Sequence, residues 1–246
     1  LGLDPLPDID FNIRCGNTLV GYATEQQLAD DLIEGDIFAK QEFEQKIQER
    51  IVIVSAAYEL FRQVQLTGAD DRAEYAKAKK DLRKHLADLN DLLNHHMFAA
   101  IGSNNKNDYA DFLSTHQPFH WLAEFYNIIH GNGGFDVVIG NPPYVTFTDS
   151  SLPYKVKNFK TYESKNLFAL VGEKCIAISN IKSSIGYIIP LSGMSIDGFV
   201  SFQKEIYKNR LSWNSFYSGD RNPSELFTGV KIRAGIYLSR PKYSKS

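Results

Sequence analysis

Two cysteines in 246 residues, Cys15 and Cys175, lie far apart and without metal-ligand spacing, a usage that suits a reducing cytoplasm. The six histidines show no ligand spacing either, so no metal site is expected. Long apolar runs are missing as well. None approaches the ~20 residues that a membrane helix needs, which removes the bilayer from the expected partners. No Met opens the chain and no signal-peptide pattern follows Leu1, so the sequence is expected to be a piece of a longer protein. Strong net charge is lacking too, at -2 overall.

The distribution of charge says more than its sum. From Leu1 to Tyr144 there are 12 basic and 22 acidic residues, whereas from Val145 onward there are 15 and 7. Such asymmetry suggests that the second region meets a polyanion, or else carries a basic but merely solvated surface. Hydrophobic content of 43% with 23% charged residues is ordinary for a folded globular chain and argues against gross disorder.

Phe11 to Cys15 (FNIRC) reads as a short strand that runs into the turn pair Gly16-Asn17. Thr24 with Gln27 three residues on has the form of a capping box that opens a helix. From about Ala39 to Leu66, the residues Phe43, Ile47, Ile51, Val54, Tyr58 and Phe61 recur at three- and four-residue steps, one stripe of an amphipathic helix. Gly68 is placed to end it and Asp70 to cap a second helix, whose stripe is Tyr75, Leu82, Leu86, Leu89 and Leu93. The spacing predicts an antiparallel helical hairpin over 24–103, a structural insertion or a partner-binding coiled coil. The polar run Gly102 to Asp108 is its exit.

Beyond it the pattern turns to α/β. Trp121 to Ile129 reads as a short helix, Phe135 to Gly140 as a buried strand and Asn166 to Asn180 as a helix. Ile185 to Ile189 reads as a second buried strand, and a helix follows near Phe199 to Lys208. Two late strands lie near Trp213 to Tyr217 and Lys231 to Leu238. Near-continuous apolar strands alternating with helices predict a doubly wound sheet covered on both faces.

The chemistry sits in Gly134-Phe135-Asp136-Val137-Val138-Ile139-Gly140-Asn141-Pro142-Pro143-Tyr144-Val145. A buried strand delivers Asn-Pro-Pro-Tyr at its carboxyl end, where open α/β sheets place their ligands. Pro142 and Pro143 fix φ twice and remove two N–H donors, and they push Asn141 towards an extended conformation. The turn becomes a stiff scaffold that presents two acceptors, the Asn141 side-chain oxygen and the Pro142 carbonyl, with the flat ring of Tyr144 one step on. A planar substrate with an exocyclic amino group suits it. That nitrogen's lone pair is delocalised into the ring and is a poor nucleophile. Two acceptors on its two hydrogens favour a tetrahedral nitrogen and stabilise the positive charge that develops as a methyl group arrives. No strong base is needed first, and alignment with a sulfonium methyl group supplies the rest.

On these residues the chain resembles the adenine-specific DNA methyltransferases, in particular the fused restriction-modification enzymes of type IIG. The landmarks are Phe119-His120-Trp121 with Glu124-Phe125, then GGFDVVIGNPPYV at 133–145, then Asn166-Leu167-Phe168. Gly186-Tyr187-Ile188-Ile189-Pro190 and Leu226-Phe227 before a last strand complete the order. The resemblance implies a Rossmann-like S-adenosylmethionine-dependent methyltransferase fold, with 1–23 as its third-strand region, an inserted hairpin, and 104–246 as the catalytic region. It implies that Asn141, Pro142, Pro143 and Tyr144 bind a flipped adenine in double-stranded DNA, with Phe227 stacking opposite Tyr144. Aromatic stacking offsets part of the unstacking cost, at roughly 1–3 kcal/mol per base. Tyr154, Lys155, Lys157 and Lys160 interleave lysine with aromatics, which suits phosphate contacts beside an extruded base. A bacterial or archaeal cytoplasm is the expected setting.

The chain departs from this family in two places. The Gly-rich cofactor turn and the acidic residue that follow the family's first two strands have no counterpart here. Asn17 stands where a cofactor contact is expected, or is a turn residue. The fold is therefore expected to be incomplete at its amino end, and the chain alone to bind S-adenosylmethionine weakly and to be inactive. The strand at 135–140 is expected to be left at an open edge that invites self-association. Two other readings are compatible with the residues. One is a glutamine methyltransferase acting on protein, since enzymes that modify release factors share the four-residue motif. The other is a non-catalytic fragment that binds DNA or a partner.

Overall fold

A computed structural model describes residues 9–31, 37–66, 72–101, 108–156, 158–218, 226–227 and 232–242. Gly68, Asp70, the exit run at 102–107 and Lys157 lie outside the described residues. The chain divides into two compact units, Leu1–Asn127 and Ile128–Ser246.

The first unit is helical. Helix α1 (Glu25–Asp31) opens on the expected cap: the Gln27 N–H donates to Thr24 Oγ1 at 3.3 Å, and Gln27 Oε1 accepts from the Ala23 N–H at 2.9 Å. Helices α2 (Ile37–Leu66) and α3 (Arg72–Ala100) pack on each other along the predicted stripes. Ile47, Ile51, Val54 and Phe61 are buried on one, and Leu82, Leu86, Leu89 and Leu93 on the other. Arg50 on α2 pairs with Asp88 on α3 at 3.5 Å. Both are partly exposed, so the apolar stripes rather than this pair hold the hairpin. Helix α4 (Tyr109–His116) and the single turn α5 (Trp121–Glu124) complete the unit. The predicted helix over 121–129 is thus broken: a π-helical turn at Asn127–Gly131 follows instead.

The expected strand at Phe11–Cys15 does not form. Asn12 and Ile13 turn their N–H groups back to the Ile9 carbonyl, and Phe11 packs edge-on against Phe61, ring centroids 4.9 Å apart. Burying one ring on α2 outweighs the β-propensity of five residues that have no adjacent strand to pair with. The segments around Val20 and Phe119 run side by side instead, the Phe119 N–H donating to the Val20 carbonyl. Gly21 has φ +118°, and a Cβ there would lie 2.2 Å from the Phe119 carbonyl oxygen, so the approach requires glycine. His120 is fully buried; its Nδ1 accepts the Tyr22 N–H and its Nε2 meets Asn94 Oδ1 on α3. Those two contacts fix the ring as the Nε2–H tautomer.

The second unit is mixed α/β. Its sheet has four strands in the order β1-β2-β4-β3: β1 (Phe135–Gly140), β2 (Ser179–Pro190), β3 (Arg210–Tyr217) and β4 (Ala234–Pro241). β1 and β2 are parallel, and β4 runs antiparallel between β2 and β3. Gly134, at φ +117°, lets β1 begin against the start of β2: a Cβ would lie 2.5 Å from the Ile178 carbonyl oxygen. Ile185, Tyr187 and Ile189 alternate inward along β2, joined by Tyr237 of β4. Phe168 and Ala169 of α6 (Leu167–Ala177) and Phe202 and Ile206 of α8 (Val200–Tyr207) cover that face. A single helical turn, α7 (Ser192–Ser195), lies between β2 and α8.

The opposite face departs from the expectation of burial on both sides. Ile139 is 81% exposed and Val137 64%, and in register with Ile139 and Gly186 stand the exposed Leu238 and Trp213. β1 is an edge strand that bonds only to β2 among the described strands. An apolar run shows that a strand suits a dry environment, not which of its faces receives a neighbour.

Candidate active site

β1 ends at Gly140, which pairs with Tyr187 of β2. Pro142 and Pro143 follow and carry no N–H, so the ladder cannot continue. The chain then returns: the Tyr144 hydroxyl lies 2.9 Å from the Ile188 carbonyl oxygen, one residue beyond the last paired position. It lies 2.6 Å from Asn141 Oδ1 as well. Pro142 is buried, Asn141 and Pro143 are exposed, and the Tyr144 ring is half-buried against the apolar cluster of the sheet. Burial raises the Tyr144 phenol above its ordinary range, so the hydroxyl stays a donor at neutral pH. A carboxamide oxygen thus stands at the open carboxyl end of β1, braced from behind by a tyrosine anchored to the neighbouring strand.

A loop of some length follows the motif and is closed at its base. The Phe147 N–H donates to the Lys165 carbonyl at 2.9 Å, and the Leu167 N–H to the Val145 carbonyl at 2.9 Å. Asn166 serves twice here, capping α6 through the Phe168 N–H and bonding Thr146 Oγ1 with its amide. Lys165 lies over the Tyr162 ring at 3.9 Å and pairs with Asp149 at 2.5 Å. Further out, Glu173 of α6 accepts the backbone N–H groups of Lys160 and Thr161. The loop is therefore fastened at both limbs to α6. Nothing in the sequence pattern singled out Thr161 or Glu173, whose roles arise from a reach across 12 residues.

The expected site residues are distributed as follows. Asn141, Pro142, Pro143 and Tyr144 are contiguous at the end of β1. Tyr154 and Lys155 lie in the loop, with Lys155 exposed; the Lys160 side chain is 70% exposed and 3.8 Å from Glu205. Phe227 is 40% exposed, in a short described segment between others that are not. Asn17 belongs to the first unit and acts there as a turn residue: its Oδ1 accepts the Leu19 N–H at 3.1 Å, and its own N–H donates to Gln117. Ile188 is the participant that sequence reasoning missed, because a backbone carbonyl leaves no signature in residue type.

Among the described residues no group of three or more His, Cys, Asp or Glu is arranged to hold a metal ion, and no helix is long and apolar enough to cross a membrane.

Comparison with known proteins agrees with the landmarks. The chain is 26% identical over 279 aligned positions to a protein of Methanocaldococcus jannaschii described as "Putative type II restriction enzyme and methyltransferase RM.MjaORFECS2P". That alignment covers 98% of this chain and 23% of the relative, so the chain spans about a quarter of the length of the protein it matches. Residues 36–220, which include both long helices, the Asn-Pro-Pro-Tyr turn and most of the sheet, match the Eco57I restriction-modification methylase, and the chain belongs to that family.

Proposed function

We propose that this chain forms the base-binding part of a site-specific DNA methyltransferase that methylates the exocyclic amino group of adenine. The observation that carries the reading is the exposed Asn141 carboxamide at the open end of β1, held beside two prolines and an anchored tyrosine. An adenine turned out of the duplex brings an amino group with two hydrogens to this end of the sheet. Asn141 Oδ1 and the Pro142 carbonyl accept them, the nitrogen moves towards tetrahedral geometry, and its lone pair becomes the nucleophile. The proton leaves afterwards to solvent. Tyr144, and Phe227 from the late segment, supply aromatic faces for the base.

S-adenosylmethionine is the donor this reading implies, and it supplies an electrophilic methyl group when bound. Asn17, the residue the sequence offers for it, gives one lone pair of its side-chain oxygen to the Leu19 N–H, which leaves the second lone pair and the amide NH2 to meet that cofactor.

The test is the chemical identity of the product. The intact enzyme, duplex DNA and methyl-labelled S-adenosylmethionine should yield N6-methyladenine on nucleoside digestion. Label in the glutamine of a peptide instead would establish the protein-methylating alternative. Duplex binding without any product would establish a non-catalytic binding role.

The loop gives a second expectation. Exposed Lys155 and Lys160, with Lys157 between them in sequence, belong to the part of the chain with 15 basic and 7 acidic residues. Phosphate contacts release counterions, so changing all three lysines to alanine should weaken DNA binding and lower the slope of log K against log salt by about 2–3. Titrations between low and moderate salt read this directly. An unchanged slope would show that the loop points away from the duplex.

A further inference from the structure

The Tyr144 hydroxyl has one proton and two acceptors within reach, Asn141 Oδ1 at 2.6 Å and the Ile188 carbonyl oxygen at 2.9 Å. It donates to one of them at a time. When it donates to Asn141, the oxygen that the substrate amine requires is turned towards the hydroxyl, with one of its two lone pairs taken. When it donates to Ile188, two oxygen lone pairs face each other across 2.6 Å, an arrangement that cannot persist. Turning the Asn141 carboxamide over relieves it: Nδ2–H then donates to the Tyr144 oxygen, and Oδ1 faces outward. The first arrangement leaves the Ile188 carbonyl without the tyrosine's hydrogen, the second satisfies all three groups, and the two differ in which way the acceptor faces.

Resting on the methyltransferase reading, we propose that Tyr144 is a latch on Asn141, holding its carboxamide oxygen while the site is empty and releasing it to the amine by passing its own hydrogen bond to Ile188. The fold supplies the second acceptor. β1 stops pairing at Gly140↔Tyr187, and the two prolines that follow offer no N–H to the strand beside them. The Ile188 carbonyl, just past that point, is met by the tyrosine hydroxyl instead. In the released state Tyr144 is a positioning residue, because its oxygen orients the carboxamide that touches the substrate. Its ring stacks on the base independently of the hydroxyl, so the two roles separate in Tyr144→Phe.

The experiment therefore has a structural and a kinetic arm. In the chain labelled with ¹³C and ¹⁵N at asparagine, Tyr144→Phe should shift the Asn141 carboxamide resonances in the absence of any ligand. Unmoved resonances would overturn the latch. In the intact enzyme with DNA and S-adenosylmethionine, Tyr144→Phe should leave the 2-aminopurine flipping signal near the wild-type level. It should slow single-turnover methylation about fivefold to tenfold, the loss of one orienting hydrogen bond. That slowing should vanish in the Asn141→Ala background, since the hydroxyl acts only through that side chain. Equal slowing in both backgrounds, or none in either, would overturn the proposal. Normal turnover by Asn141→Ala alone would remove Asn141 as the amine acceptor and overturn the latch with it. No methylated adenine from the wild-type enzyme would instead sink the methyltransferase reading, whatever the resonances show.

Discussion

Replacing Asn141 with alanine is expected to cut methylation by about 10²–10³-fold, roughly 3–4 kcal/mol of transition-state stabilisation, while DNA affinity stays within about twofold of wild type. The asymmetry follows from where the side chain sits. Asn141 is exposed at the strand end and bonds within the chain only to the Tyr144 hydroxyl among the described contacts. Its removal therefore opens no cavity in the core. What is lost is an acceptor whose interaction strengthens as positive charge develops on the amine nitrogen, which lowers kcat rather than binding. Tyr144→Ala should fail in another way. It deletes an aromatic face worth roughly 1–3 kcal/mol of stacking, so the flipped state should be less populated and 2-aminopurine at the target position should fluoresce less. Steady-state kinetics together with that fluorescence distinguish the two. Near-normal turnover in Asn141→Ala would end the mechanism.

Phe168→Ala should be the most damaging core substitution in the second unit, at about 3–5 kcal/mol. Phe168 is fully buried; its ring stacks on Phe199 at 5.0 Å and meets Phe202 edge-on at 5.4 Å. Gly193 presses against it so closely that a Cβ there would lie 2.7 Å from the ring. Packing this dense cannot collapse around the missing ring, so transfer and cavity costs add. A fall in melting temperature of roughly 10–20 °C is expected by calorimetry. Ile139→Ser provides the contrast, because Ile139 is 81% exposed, and it should change stability by no more than about 0.5 kcal/mol. Comparable destabilisation by both would show that the outer face of β1 is covered.

The contrast between Phe168 and Ile139 marks how far the sequence could be read. Both belong to apolar stretches that resemble the family's landmarks, yet one lies at the centre of the cluster and the other in solvent. The helical hairpin was legible because a 3.6-residue period depends only on the chain itself. The Asn-Pro-Pro-Tyr turn was legible for a related reason: consecutive prolines constrain their own backbone wherever they occur. The strand expected at Phe11 to Cys15 was not, since five residues of suitable type say nothing about whether a partner strand is adjacent. The sheet brought a further surprise of this kind. The β1–β2 register jumps between Phe135↔Ser179 and Val137↔Ser184, a bulge on β2 with no punctuating glycine or proline in its residues.

What the sequence by itself determined is therefore local: the two long helices, the capping box at Thr24, the positions of most strands in the second unit, and a rigid acceptor turn after β1. Tertiary structure alone decided which face of β1 is open to solvent, that Glu173 fastens the loop, and that Ile188 meets Tyr144. The physical reason is range. Periodicity, caps and proline constraints act within a few residues and are written in residue type. Strand edges, covered faces and backbone acceptors depend on what another segment brings from 12 to 44 positions away, and a carbonyl oxygen is the same atom in every residue.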